Sequence, residues 1–399
     1  MIGAGLDTNL DFIDSVYSAE FSALNKGLKM TNEIMRNDYE FGGMMEDKIE
    51  LQGGGAVKFD TLLRKSGNTG FASAGKTRTF ASSQHNVKGQ THWSVYEAGF
   101  LVDDIEELLN GEADPFQIFD LIPQKEAGMM TEAHNELEET YFHETGNAEL
   151  VTGDDPPFFG LKALVTRDGR AVDGTSTVLN INTSTDKRWL NRYCGPLGSN
   201  LNPTFAHTTT DAITSANQLL AKIEKALRFC QFKGITQLKF VQDDKAKDIL
   251  KKQRILADEM SYEAIKAIQK AIGNGRDQIA AEEMVAPDPV IKGLPVVWCS
   301  ALGLGATMPT YVHSQVVDAG GGSITGGATT YANTGEVYLV NQANLRVIGH
   351  KRAFPQKKPM AFIVEKQAIL QLFRWMLAVV CNSRQRQCCI WGYSGLKAS

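Results

Sequence analysis

Apolar positions change their spacing several times along this chain of 399 residues, and each change predicts a different element. Ile13, Tyr17, Phe21, Leu24 and Leu28 step by 4, 4, 3 and 4, which lays them on one stripe of a helix. Asp11 and Asp14 open that stretch and Lys26 and Lys29 close it, as the helix dipole prefers. A single amphipathic helix followed by non-helical sequence needs another surface to lie against, in its own chain or a neighbour. From Gly42 to Val102 the period becomes two: Ile49 and Leu51, Val57 and Phe59, then Trp93 and Val95 alternate with polar residues. Residues 64–76, rich in Gly, Ser and charge, separate the two halves, so a long hairpin with an exposed tip is expected. An isolated hairpin is marginally stable, so a long one points to a supporting surface.

Asp114-Pro115 then supplies a cap and a first-turn proline. Phe119, Ile122, Glu126, Met130, Ala133, Leu137 and Tyr141 recur every three or four residues up to a stop at Gly146-Asn147. This predicts one long helix over 115–145 with an acidic exposed face. Residues 151–205 show strands and loops without a clear period. Asp211 is the expected cap of a helix carried by Ile213, Ala216, Leu220, Ile223, Leu227 and Cys230. A strand over 236–242, helices over 243–252 and 258–272, and a strand over 294–300 complete an α+β middle region. Residues 303–335 contain Gly320-Gly321-Gly322 and Gly326-Gly327 and predict a long exposed loop or hairpin. Strand patterns return over 336–349 and 360–364, and 365–381 fits a helix or buried strands equally.

Composition excludes several classes. The chain is 43% apolar and 22% charged, which fits a folded globular protein and not a disordered or membrane-dominated one. The apolar run 360–381 is interrupted by Glu365, Lys366 and Arg374, so no membrane span is expected. The start lacks the pattern of a secretory leader, and the six cysteines contain no CxxC pair, so cytoplasmic synthesis and reduced thiols are expected. A net charge of -5 is too mild for the footprint of a nucleic-acid binder. That mean hides an asymmetry: residues 97–155 hold seventeen acids and one base, Lys125, whereas residues 343–399 hold ten bases and one acid, Glu365. Charge runs are commonly solvated faces; the sharper reading is complementary surfaces that meet, within a chain or between copies.

Candidate chemistry is sparse. The glycine runs lack the order of a phosphate-binding loop. Glu139 and His143 lie one helical turn apart, without the further ligands that zinc or di-iron needs. Cys388-Cys389 are adjacent, where a bridge strains the backbone, and read as small apolar residues on a basic tail. Lys351-Arg352-Ala353-Phe354 and Phe373-Arg374-Trp375 pair bases with aromatics, a weak nucleic-acid signal in the absence of a binding module. No catalytic, cofactor or metal residue is assigned, and an enzyme is not expected.

The order of elements is more telling than any motif. An amphipathic arm (Ile13 to Leu28), a glycine-tipped hairpin, an acidic helix, a mixed body, a Gly-rich loop and closing strands together resemble the HK97-like major capsid proteins of tailed double-stranded DNA bacteriophages. Tyr338 to Val347 and Asn382 to Gln387 are similar to the closing segments of such coat proteins. The resemblance implies an α+β HK97-like capsid fold: an N-terminal arm (1–41), an extended β-hairpin loop (42–102), a peripheral domain (103–205) with spine helix 115–145, and an axial α/β domain (206–335). Closing strands of both domains and a C-terminal segment fill 336–399. It also implies hexamers and pentamers tiling an icosahedral shell around double-stranded DNA. Portal and possible scaffolding or decoration partners follow, with location in a virion assembled in the host cytoplasm, no membrane, and no cofactor.

Some members of that family link an extended-loop lysine to a neighbour's asparagine; Lys58, Lys65, Lys76 and Lys88 lie in the matching segment, and none is assigned that role. Phe59, Leu62, Phe71, Phe80 and Trp93 in the loop, with Ile13, Tyr17 and Phe21 in the arm, are the expected subunit contacts, being apolar positions that a monomer would leave uncovered. The alternatives are an encapsulin-like shell loaded with protein, a phage decoration or tail protein, and an α/β enzyme with an unrecognised site.

Overall fold

The computed structural model describes residues 50–63, 86–103, 115–142, 158–169, 177–196, 198–201, 213–232, 252–273, 289–299, 302, 316–317, 323–324, 335–354, 356–363 and 368–393. Strand β1 (Glu50–Gln52) leads through Gly53–Gly55 into β2 (Val57–Leu62), which pairs antiparallel with β3 (Asn86–Thr91) from Val57↔Thr91 to Leu62↔Asn86. Strand β4 (Ser94–Asp103) precedes the long helix α1 (Pro115–Phe142). Short elements follow: α2 (Leu161–Leu164), the two-residue pair β5 (Thr177–Val178) and β6 (Ile181–Asn182), then β7 (Arg192–Gly195) and β8 (Gly198–Ser199). The middle of the chain supplies α3 (Ala216–Phe229), β9 (Gln253–Ala257), α4 (Glu259–Gly273), β10 (Val290–Ile291) and β11 (Leu294–Trp298). Strands β12 (Val316–Val317) and β13 (Ser323–Ile324) pair within the Gly-rich stretch. The chain closes through β14 (Gly335–Asn341), β15 (Leu345–His350), β16 (Gln356–Lys357), β17 (Ala361–Ile363), β18 (Ala368–Cys381) and β19 (Cys388–Tyr393).

Two sheets organise these pieces. The first is built on β18, whose 14 residues span about 46 Å at the usual rise. Strand β4 pairs with its first ten residues, from Asp103↔Ala368 to Ser94↔Leu377, while β17, β16 and β15 follow one another along its length. Strand β1 adds in parallel to β15. The second sheet has seven strands in the order β10-β11-β9-β14-β19-β7-β8. Its side chains alternate between two cores, as the pleat requires. Ile255, Ala257, Val337, Leu339, Cys388 and Ile390 point to the layer holding Leu219, Ile223, Leu227 and Ile265 of α3 and α4. Leu256, Tyr338, Val340, Cys389 and Trp391 point the other way, into the core shared with α1, α2 and the first sheet.

Helix α1 is described over Pro115–Phe142, within the predicted 115–145, and these 28 residues span about 42 Å. Met129, Ala133, Leu137, Tyr141 and Phe142 fill its buried stripe, and Glu132, Glu136 and Glu139 are exposed. Helix α4 matches its predicted span, with the Asp258 carboxylate accepting from Ser261 N at 3.0 Å. Four readings are corrected. The cap of α3 is Ser215 and not Asp211: Ser215 Oγ accepts from Gln218 N while the Gln218 side chain accepts from Ser215 N, a capping box. Ile213, read as the first helical position, instead bridges Tyr393 in extended form. Gln253–Ala257 forms the strand at the heart of the second sheet where none was expected. Cys388 and Cys389 stand in an interior strand of that sheet and not on a tail, and their thiols face opposite layers. The open choice over 365–381 resolves as strand from Ala368 onward. The predicted arm helix, the hairpin tip, the strand over 236–242, the helix over 243–252 except its last residue, and His143 lie outside the described residues.

Buried polar groups tie the closing strands to residues 158–201. Arg384 is 0% exposed. Its Nε donates to Leu164 O at 2.7 Å, Nη1 to Gly169 O and Trp189 O at 3.3 Å each, and Nη2 to Asn191 Oδ1 at 3.0 Å. Asn191 Nδ2 in turn donates to Thr166 O at 2.7 Å and Arg192 O at 3.0 Å. These bonds replace the sheet ladders that this irregular region lacks. Nearby, Glu336 is 1% exposed and paired with Arg167 and, at 3.5 Å, with Lys162. Burial opposes the charge on Glu336, but the two cations and their hydrogen bonds outweigh it and hold the carboxyl below its ordinary value. Burial pushes the adjacent Asp258 carboxyl up.

Candidate assembly surfaces

The pairing of β4 with β18 creates two faces of different fate. On one, Tyr96, Ala98 and Phe100 of β4 sit beside Phe373 and Trp375 of β18 and pack into the main core, where α1 lies against β4. Tyr96 Oη donates to Glu136 Oε2 at 2.8 Å, and burial followed by that carboxylate raises the phenol pKa above its ordinary value. On the other face, Val95, Glu97, Gly99 and Leu101 stand opposite Met376, Arg374, Leu372 and Leu370. Farther along β18 this second face is covered. Ala378, Val380 and Ile348 pack under Val57 and Trp93 from the base of the hairpin, and Trp93 Nε1 donates to Gly54 O at 2.8 Å. Before that point the face opens: Val95 is 40% and Leu101 37% exposed, and Leu370, Leu372 and Met376 are half-buried. Leu372 lies across Gly99, where a Cβ would come within 2.7 Å of its Cδ2. The result is an apolar shelf that the described residues leave uncovered, crossed by one ion pair between Glu97 and Arg374.

The hairpin base rests on its own chain. Thr61 Oγ1 donates to Asn382 O at 2.7 Å, Gln90 N to Leu179 O at 3.1 Å, and the Phe59 ring lies 6.2 Å from Trp189. Gly89, directly opposite Phe59, makes room for that ring, since a Cβ there would fall 2.2 Å from it. This corrects the ground on which Phe59 and Trp93 were named as contacts: Phe59 is half-buried and Trp93 only 8% exposed, both covered within the chain. Ile13, Tyr17, Phe21, Phe71 and Phe80 lie outside the described residues, as does the side chain of Leu62. The shelf residues themselves went unnamed, although the alternation that put Trp93 and Val95 on one side of a strand was the available signal. Trp298 and Val290, near the β10 edge of the second sheet, are also exposed.

The acidic and basic segments do meet, and they meet within one chain. Glu97 pairs with Arg374, and Glu126, buried on α1, pairs with Lys357 at 3.5 Å. Of the two base-and-aromatic runs, Phe373 and Trp375 are buried and Arg374 is engaged by Glu97, which leaves neither ring for a base to stack on. Lys351 and Arg352 remain exposed in the turn after β15. Among the described residues no helix is long and apolar enough to cross a membrane.

No family model matches the sequence, and no curated protein does. Solved structures do. A chain of the capsid asymmetric unit of cyanophage A-1(L) superposes with a TM-score of 0.53 at 13% identity, covering 90% of this chain and 93% of that one. The capsid of the native GTA particle gives a TM-score of 0.46 at 11% identity over 91% and 94% of the two chains. The holo-SrpI encapsulin of Synechococcus elongatus PCC 7942 gives 0.46 at 8% over 94% and 95%. The cyanophage match establishes the class of fold: this chain is similar to a capsid protein over nearly its whole length. The mixed helix-and-strand fold expected from the sequence is the one the chain shares with that capsid chain.

Proposed function

We propose that this chain is a major capsid protein, which self-assembles as hexamers and pentamers into an icosahedral shell enclosing double-stranded phage DNA. The observation that carries the reading is the fold shared with the cyanophage A-1(L) capsid chain over 90% of this chain and 93% of that one. The shelf of Val95, Leu101, Leu370, Leu372 and Met376 agrees with it, because an apolar face of this kind marks a contact surface. In this reading the arm (1–41) and the hairpin tip reach neighbouring copies, and residues 103–205 and 206–335 form the peripheral and axial domains. Many small contacts repeated by symmetry then hold the shell. The role is structural and not enzymatic. The DNA is enclosed without sequence-specific binding, a portal and scaffolding or decoration proteins are the partners, and assembly takes place in the host cytoplasm.

Negative-stain electron microscopy of the purified chain, alone and coexpressed with its neighbouring genes, tests this. Closed particles or hexameric rings are expected. Particles that protect DNA from nuclease support a capsid, particles filled with protein mark an encapsulin-like compartment instead, and monomers under every condition overturn both.

A further inference from the structure

The hairpin of β10 and β11 forms one edge of the second sheet, and the alternation of its bonds fixes which groups that edge presents. Lys292 and Gly293 make the two-residue turn with φ of 51° and 81°, the positive values that a mirror-image hairpin turn needs at both positions. Ile291 pairs with Leu294 beside the turn, and Val296 N donates to Pro289 O at 2.8 Å. Val290 lies between these bonded positions, so its N–H and C=O turn away from β11, toward the place that a further strand would fill. Its side chain is 47% exposed, and so is its cross-strand neighbour Pro295 exposed. An outward backbone donor and acceptor beside an exposed apolar side chain make a template for strand addition.

Gln269 of α4 takes that place. It follows the buried Ser261 and Ile265 at a spacing of four, on the face that α4 turns to the sheet. Gln269 Nε2 donates to Val290 O at 2.7 Å, and Gln269 Oε1 accepts from Val290 N at 3.0 Å. A side-chain amide holds a donor and an acceptor side by side, so it makes both bonds that a residue of a neighbouring strand would make. The turn is held separately, by Lys292 Nζ and Glu224 Oε2 of α3 at 3.2 Å.

We infer that Gln269 guards this edge, occupying the position at which β10 of a second copy of the chain would otherwise add to the sheet. The excluded occupant is a second copy because the edge is self-complementary. Two such edges set antiparallel bring the N–H and C=O of one Val290 against the C=O and N–H of the other, an isologous contact. With the amide in place, the second sheet does not pair edge to edge, and association is left to other surfaces.

The test compares the purified full-length chain with Gln269→Ala by hydrogen–deuterium exchange and by sedimentation over a range of concentrations. The Val290 amide is expected to exchange about tenfold faster in the variant, as loss of one hydrogen bond implies. With unchanged circular dichroism, the variant should also form larger species as concentration rises, beyond any that the parent forms. Val290→Pro added to Gln269→Ala removes the N–H that a second copy would bond, and should return the sedimentation profile to that of the parent. Glu224→Gln frees the turn while the edge stays covered, and should sediment as the parent does. Unchanged exchange at Val290, a Gln269→Ala chain that sediments like the parent, or larger species that persist with Val290→Pro would overturn the proposal. Each readout is a difference from the parent, so none depends on whether the chain forms shells.

Discussion

Replacing Arg384 with alanine strips the donors from three backbone carbonyls at once, those of Leu164, Gly169 and Trp189, and removes the Nη2 bond to Asn191 Oδ1. Asn191 Oδ1 still accepts from Thr166 N at 3.3 Å and Thr166 Oγ1 at 3.2 Å, so the carbonyls carry the loss. A buried acceptor left without a donor costs about 1–3 kcal/mol. Water entering the vacated space recovers part of that. Taking the lower figure for each carbonyl, the variant should lose about 3 kcal/mol, on the order of a hundredfold in the folding equilibrium. Urea unfolding of the unassembled chain, followed by tryptophan fluorescence, reads this directly. Trp189 is fully buried with the guanidinium carbon 6.0 Å from its ring. Arg352→Ala, at an exposed turn, is the matched control and should stay within about 0.5 kcal/mol of the parent. An Arg384→Ala variant as stable as that control would refute the claim that this side chain holds residues 158–201 to the closing strands.

Three further outcomes follow from the same structure. Glu336→Gln leaves Arg167 and Lys162 without their carboxylate and should cost about 3–5 kcal/mol in urea unfolding at neutral pH. Because the folded state holds Glu336 below its ordinary value of 4.5, its contribution is present above that pH and lost as pH falls through the folded value. The variant should therefore show a flatter stability profile there, and an unchanged profile contradicts the assignment. Gly195→Ala places a Cβ 2.3 Å from Trp391 Nε1 on the neighbouring strand, and should cost about 1–3 kcal/mol by thermal or urea unfolding. Val95→Asp with Leu101→Asp changes two exposed side chains on the shelf; the unassembled chain should keep its stability to within about 1 kcal/mol while particle yield on a sucrose gradient collapses, and normal particles would remove the shelf from the assembly contacts.

What could be read along the chain and what could not have separate physical causes. Helix α1 carries a cap signal in Asp114-Pro115 and its core face in a three-and-four spacing, both local signals, and its described span lies inside the predicted one. Helix α4 likewise has its cap at Asp258. Strand β9 offered no such signal, because it is interior to the sheet: Ile255 and Ala257 face one core and Leu256 the other, so no polar alternation marks it. Strand β18 is ambiguous for a related reason. Its first half is covered on one face and its second half on both, so the apolar run has neither a period of two nor one of 3.6 throughout. Trp189 and Asn191 are held by Arg384, whose bonds to Trp189 O and Asn191 Oδ1 reach across more than 190 residues that no window of local sequence contains. The shelf is a product of tertiary pairing as well: Val95 and Leu101 become neighbours of Met376 and Leu370 only when β4 finds β18.

That pairing also reinterprets the charge asymmetry. Glu97 with Arg374 and Glu126 with Lys357 spend part of the opposite charges inside one chain, while Glu132, Glu136 and Glu139 stay on the outer side of α1. The apolar shelf, more than charge, is therefore the surface on which association is expected to depend.

The central claim, that this chain builds a shell, is tested most directly by a reconstruction from electron micrographs of the particles it forms. The account predicts rings of five and six copies in a closed icosahedral lattice, with a neighbouring copy seated over Val95, Leu101 and Leu372. A molecule that stays single at every concentration, or particles in which that shelf faces solvent, would contradict it.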